Sequence, residues 1–230
     1  PTMLHHIKSP PALLFAKGNL EALNKPGIAI VGTRHLSEYG RKIGERLGEL
    51  VAKSGNIVIS GLAVGADTSG HVGCLKARGI TIAIVATSLE KVYPKENRNL
   101  EKQIIASNGC ILSEYPLGTD ETPYYFVARD RLQCGMADGL IVVETGVTGG
   151  TFNAVKGSLE LKKPVGCYDY SRVSGHYDKY KHSWGNKLLI DEGKAVPLYD
   201  TNNINSFIKM CANSRKKRVQ FEQLSLNKLW

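Results

Sequence analysis

No apolar stretch in this chain approaches the ~20 residues that a membrane-spanning helix needs. The opening, Pro1 to Pro11, lacks the charged-then-apolar layout of a secretory signal. Cysteine is sparse: Cys74, Cys110, Cys134, Cys167 and Cys211 stand far apart, odd in number and without a C-x-x-C pair. That pattern argues against a disulfide framework or a zinc site and predicts a reducing cytoplasm. No His/Cys/Asp/Glu spacing suggests any other metal. Two phosphate signatures are also missing. Gly32 is followed by Thr33, Arg34 and His35 instead of G-x-G-x-x-G, and no Walker lysine motif occurs. A hydride-transfer enzyme or a nucleoside triphosphatase therefore has no motif support. No complete catalytic set is found, and neither a cofactor nor enzymatic activity is expected.

What is present is a rhythm. The 230 residues repeat an apolar run, a glycine-containing turn, an amphipathic segment and a glycine stop. The runs are Ile28–Val31, Ile57–Ile59, Thr81–Val85, Cys110–Leu112, Leu140–Val143 and Val165–Tyr168. They are continuously apolar instead of alternating, which means burial on both faces, as in a parallel sheet covered by helices. Between the first two, Ile43, Leu47, Leu50 and Val51 recur on one helical face, and Gly55 suits a left-handed stop. A second helix is expected from Asp67, as its N-cap, to Gly79, and a third from Pro94 to Gly109. The fold predicted is a three-layer α/β protein with a doubly wound, mostly parallel, Rossmann-like sheet. Residues 1–26 read as a lead-in, 27–213 as the core domain, and 214–230 as a basic tail. Ser171 to Trp184 reads as a long exposed loop.

In such sheets ligands sit beyond the carboxyl ends of the strands. Those ends carry Gly32-Thr33-Arg34, Ser60-Gly61-Leu62-Ala63-Val64-Gly65 and Thr148-Gly149-Gly150-Thr151. Glycine-rich turns at helix N-termini let amide groups approach an anion. Acidic residues at two strand ends, Glu114 and Glu144, would polarise a water, hold a ribose or cap the following helix. Downstream, Tyr124-Tyr125-Phe126 precedes Arg129 and Arg131. Arginines pair with phosphate and aromatic faces stack on unpaired bases. Lys95, Asn97 and Arg98 would extend the same basic rim. The formal charge of +9 favours a polyanionic partner. His71 reads as a hydrogen-bonded interior residue that positions the Ser60–Asp67 turn.

These motifs, in this order, resemble the DprA/Smf family. Ile30 to Arg34 looks like its opening motif, and Ser60 to His71 resembles S-G-x-A-x-G-x-D-x-x-x-H. Tyr93 to Asn97 resembles Y-P-x-x-N, Ser113 to Pro116 resembles S-E-x-P, and Phe126 to Arg131 is similar to F-P-x-R-N-R. Gly185 to Gly193 resembles the closing G-S-N-x-L-I-x-x-G. The resemblance implies a homodimeric protein that binds single-stranded DNA during natural transformation and loads a RecA-type recombinase. It places phosphates at Gly32, Thr33, Arg34, Ser60, Gly61, Ala63, Gly65 and Asp67, charge at Arg129 and Arg131, and a base contact at Phe126. The chain departs from the pattern at Val64, where arginine is frequent, at Val127 in place of proline, at Asp130 in place of asparagine, and at Thr148–Thr151.

Two other classes stay open. A Rossmann-like nucleotide sensor would use the same turns for one nucleotide. A nucleotide hydrolase of the lonely-guy type would need P-G-G-x-G-T-x-x-E, which Gly149-Gly150-Thr151 echoes only in part. An interaction subunit with a relict pocket has no specific residue in its favour.

Overall fold

The computed structural model describes residues 1–173 and 181–226. Eight strands follow the chain as β1 Phe15–Gly18, β2 Gly27–Val31, β3 Ile57–Ser60, β4 Thr81–Val85, β5 Cys110–Ser113, β6 Gly139–Val142, β7 Val165–Tyr168 and β8 Val196–Leu198. They form one sheet in the order β1-β5-β4-β3-β2-β6-β7-β8. Only β1 is antiparallel, pairing with β5; every other pairing is parallel. The chain steps outward from β2 to β5, then crosses back to lay β6 on the other side of β2. The gap beyond the carboxyl ends of β2 and β6 is therefore the topological switch point, where such sheets place their ligands.

Alternate strand residues feed opposite layers, the period-two geometry of a pleated strand. Ile28 and Ile30 of β2 pack with Leu47, Leu50 and Val51 of α1 (Glu38–Lys53) and with Ala66 and Cys74 of α2 (Ala66–Lys76). Leu100 and Ile104 of α3 (Arg98–Ala106) cover the β4–β5 end. Ala29 and Val31 face the other layer. There Leu132 and Met136 belong to α4 (Pro123–Met136), Ala154 and Val155 to α5 (Thr151–Glu160), and Leu189 to α6 (Trp184–Asp191). A final helix, α7 (Thr201–Leu226), returns to the first layer through Ile204, Phe207 and Ile208. The fold class expected from the unbroken apolar runs is the one observed.

Several local expectations change. Residues 1–26 supply β1, and Leu4 and Ile7 are buried against α4 near Gly135. The stretch 214–226 continues α7, where Arg215 and Arg218 reach the buried carboxylate of Asp138. Gly65, not Asp67, precedes α2 as its N-cap, and that helix ends at Lys76, three residues before Gly79. The third helix begins at Arg98, after a short turn over Lys95–Asn97, and ends at Ala106. Gly55 does take the left-handed conformation, with φ of +79°. Within Ser171 to Trp184, turns cover Tyr170–Arg172 and Lys181–Ser183, Ser183 is buried, and Trp184 opens α6; residues 174–180 lie outside the described residues. Among the described residues no helix is long and apolar enough to cross a membrane.

Candidate nucleic-acid interface

A cleft of about 670 Å³ opens at the switch point, within the usual range for ligand pockets. Its first wall is the β2–α1 turn, Gly32-Thr33-Arg34. Thr33 is anchored by its amide, which donates to the Glu144 carbonyl at 2.7 Å. Its carbonyl in turn accepts from the Ala66 amide at 3.1 Å. Arg34 is exposed and lies over the Phe126 ring, 5.1 Å from guanidinium carbon to centroid. Tyr93 tilts against the same ring, with centroids 5.4 Å apart. A cation and an aromatic face are thus presented together at the mouth of the cleft.

The opposite wall is the β6–α5 turn. Asn186, fully buried on α6, accepts from the Thr145 amide at 2.8 Å and donates to the carbonyls of Val143 and Tyr168. That clamp fixes the root of the glycine turn. Beyond it, Thr148, Gly149 and Gly150 are exposed and line the cleft with Thr151. The amides of Gly149, Gly150 and Thr151 take no hydrogen bond among the described residues, and no side chain caps α5. Free amides at a helix N-terminus attract anions. Lys181, His182 and Trp184 complete this rim.

The floor is charged and largely buried. Arg129 on α4 is 5% exposed, and its Nη1 donates to the Ile84 carbonyl at 2.7 Å. Its guanidinium occupies the space beside Gly61, where any Cβ would collide with it. Asp130 Oδ1 lies 3.4 Å from Arg129 Nε, as an ion pair without hydrogen-bond geometry. Asp67 accepts from the amides of Gly61 and Ala63 at 3.0 and 3.3 Å. Burial raises the Asp67 carboxyl, opposed by Arg129. Burial also pushes Asp130 up to about 6, with Arg129 opposing and Asp67 reinforcing the rise. Gly65, whose φ is +83°, holds the turn against the carbonyls of Thr33 and Arg34 where a side chain would not fit.

The residues expected from sequence thus divide. Gly32, Thr33, Arg34, Ala63, Asp67, Phe126, Arg129 and Thr148 to Thr151 line one cleft. Ser60, Gly61 and Gly65 lie behind its wall: Ser60 Oγ donates to the Ile30 carbonyl at 2.6 Å, and the Gly61 amide is taken by Asp67. That turn presents a satisfied carboxylate cage where an open anion cradle was expected. Asn97 is buried and ties the Leu62 carbonyl to Thr68 Oγ1, while Lys95 and Arg98 are exposed outside the cleft. Arg131 points away from Arg129. It grips both oxygens of Glu114 at 2.6 and 2.7 Å and donates to the Ser9 carbonyl. Glu144 accepts from the Ser37 amide and hydroxyl at 2.7 and 2.9 Å, which fixes the start of α1, the capping alternative of the three considered. His71 is interior. Thr81 Oγ1 donates to the Val58 carbonyl, so His71 Nδ1 donates to Thr81 Oγ1 at 2.7 Å, and burial with nearby Arg129 lowers its pKa to about 3. It secures β4 and not the Ser60–Asp67 turn. Lining residues missed by sequence include His35, Gln133, Thr145, Lys181, His182 and Trp184. The lysine and histidine content of the 171–184 stretch was the available signal for two of them.

A doubly wound α/β sheet with a cleft at its switch point and a cation–aromatic pair at the cleft mouth defines a protein of Rossmann-like fold. The family model for DNA recombination-mediator protein A matches residues 1–209, and the chain belongs to that family. It is 37% identical over 169 residues to protein Smf of Synechocystis, covering 72% of this chain and 42% of that protein. It is 36% identical over 166 residues to DNA processing protein DprA of Bacillus subtilis, covering 72% and 56%. The chain thus spans about half the length of these curated relatives. The structure of DNA processing protein A from Helicobacter pylori superposes with a TM-score of 0.80 at 29% identity, over 91% of this chain and 93% of that one.

Proposed function

We propose that this chain grips single-stranded DNA in the cleft at its switch point, as a DNA-processing protein acting in natural transformation. The observation that carries the reading is the Arg34–Phe126 pair facing the open amides of α5 across the cleft. One wall offers a guanidinium for a phosphate and a ring for a base; the other offers helix-terminal amides for the next phosphate. The net charge of +9 adds long-range attraction. The Helicobacter pylori relative, described as having a unique single-stranded DNA binding mode, supports the same ligand. Handing the strand to a RecA-type recombinase, acting as a homodimer and residing in a reducing cytoplasm complete the proposal. The five buried, unpaired cysteines are compatible with the last. No reacting group in the cleft needs a catalytic role under this reading.

The test is a fluorescence-anisotropy titration of labelled single-stranded oligonucleotide at two salt concentrations, with duplex as control. Affinity should fall steeply with salt, with a slope near −0.7 per phosphate engaged. Arg34→Ala should lose ~1–3 kcal/mol of binding. A flat salt response together with nucleotide-dependent thermal stabilisation would replace this reading with a nucleotide sensor.

A further inference from the structure

The floor of the cleft carries hydrogen-bonding capacity that the protein itself does not spend. Asp130 has a side chain 16% exposed and lines the cleft, yet accepts no hydrogen bond among the described residues. One turn further along α4, Gln133 is 1% exposed and also lines the cleft, and its Nε2 has no partner. Buried polar groups are paired in the great majority of cases, and Gln133 Nε2 is an exception that calls for an acceptor. Asp130 beside it is partly exposed to the cleft and engaged only by the Arg129 ion pair, so its oxygens remain open to a donor from a ligand. A phosphate is the wrong ligand for this floor, because the Asp130 and Asp67 carboxylates would repel it. The phosphate positions are at Arg34 and α5, and the floor is left for a group that donates.

We propose that Asp130 and Gln133 form a base-reading edge that makes this cleft prefer guanine among the bases of a single strand. The inference rests on the single-strand reading above. Guanine is the DNA base whose pairing edge carries two adjacent donors, the ring N1–H and the 2-amino group, which match the two oxygens of one carboxylate. Its O6 lies alongside as an acceptor for the Gln133 amide. Thymine offers one donor between two carbonyls, and those carbonyls would face the carboxylate. Adenine and cytosine each offer one amino group beside a bare ring nitrogen, which would oppose the second oxygen. A carboxylate also accepts from cytosine amino groups in duplex recognition, but through one bond. The asparagine that the family pattern places at this position would not supply two acceptors, so the preference belongs to this chain's aspartate.

The experiment uses the full chain at pH 7.5, where Asp130 is ionised, with three labelled oligonucleotides. One is all thymidine, one carries dispersed deoxyguanosines, and one carries deoxyinosines at the same places. Inosine keeps N1–H and O6 but lacks the amino donor. The guanosine oligomer should bind about tenfold more tightly than thymidine, with inosine between them. In Asp130→Asn that ratio should fall to near one. Because the inosine comparison uses the unaltered protein, it stands even if a variant folds poorly. Equal affinities for thymidine and guanosine oligomers, or an unchanged ratio in Asp130→Asn, overturn the base-reading edge and leave the single-strand reading intact. Salt-insensitive failure to bind any of the three overturns both.

Discussion

Replacing Arg129 should damage the fold more than it damages phosphate binding. The perturbation to make is Arg129→Met, which keeps much of the length of the side chain and removes its charge. Two losses follow from the structure. The first is the charged hydrogen bond to the Ile84 carbonyl, which leaves a buried acceptor unpaired, ~1–3 kcal/mol. The second is the guanidinium that acts on both Asp67 and Asp130 on the cleft floor. Asp130 already sits at about 6 against an ordinary 3.8, a burial cost of about 3 kcal/mol at neutral pH. Without Arg129 its carboxyl escapes by taking a proton, and at pH 7.5 that escape costs about 5 kcal/mol. Asp130 therefore adds at most about 2 kcal/mol to the loss, and Asp67 shifts in the same direction. The sum is about 1–5 kcal/mol, its upper part reaching the range for breaking a buried ion pair from one side.

Urea denaturation of wild type and variant, at pH 7.5 and again at pH 5.5, measures this directly. The deficit should shrink at the lower pH, because Asp130 is by then largely protonated in the wild type and its share of the loss has vanished. Adding Asp67→Asn and Asp130→Asn to Arg129→Met should restore part of the stability at pH 7.5 by removing the stranded charges. A loss below about 1 kcal/mol at both pH values, with DNA affinity sharply reduced, would refute the reasoning and make Arg129 a phosphate ligand of the kind its sequence position suggests.

The other expectations concern the same cleft. Asp130→Asn should stabilise the chain by up to about 3 kcal/mol at pH 7 and above. The raised carboxyl faces Arg129 on its own helix, Asp67 on α2 and Arg34 on the β2–α1 turn. Its folded pKa lies above its unfolded value, so its cost is full above about pH 6 and relieved as pH falls towards 4; the variant's advantage should fade over that window in thermal melts. Asn186→Ala should cost ~2–4 kcal/mol, since it strands the Thr145 amide and the carbonyls of Val143 and Tyr168. It should also weaken oligonucleotide binding through the loosened β6–α5 turn, measurable in the same anisotropy titration.

How far the residues could be read in advance follows from what each element buries. The six central strands were visible because each is covered on both faces, which leaves an unbroken apolar run. The two flanking strands were not. β1 runs Phe-Ala-Lys-Gly with mostly exposed residues, and β8 holds three residues with a proline between them. The polar, asparagine-rich start of α7 conceals the apolar stripe of Ile204, Phe207 and Ile208. The site shows the same contrast at the level of single side chains. The pair Arg129 and Arg131 looks like one basic element when read as a string. On α4, residues two apart point to different sides of the helix. One therefore enters the cleft floor towards Ile84 while the other leaves for Glu114. Had the stretch after Pro123 been recognised as a helix, the spacing alone would have separated them. The same helical geometry puts Asp130 and Gln133, three apart, on one side, and both line the cleft. The aspartate stood out in the sequence as a departure from the asparagine of the family pattern. Beside Arg129, with Arg34 and the α5 amides at the positive end of the cleft, it gives the cavity a negative floor and a positive mouth. Such a division is what a site needs if it is to hold a nucleotide in one orientation.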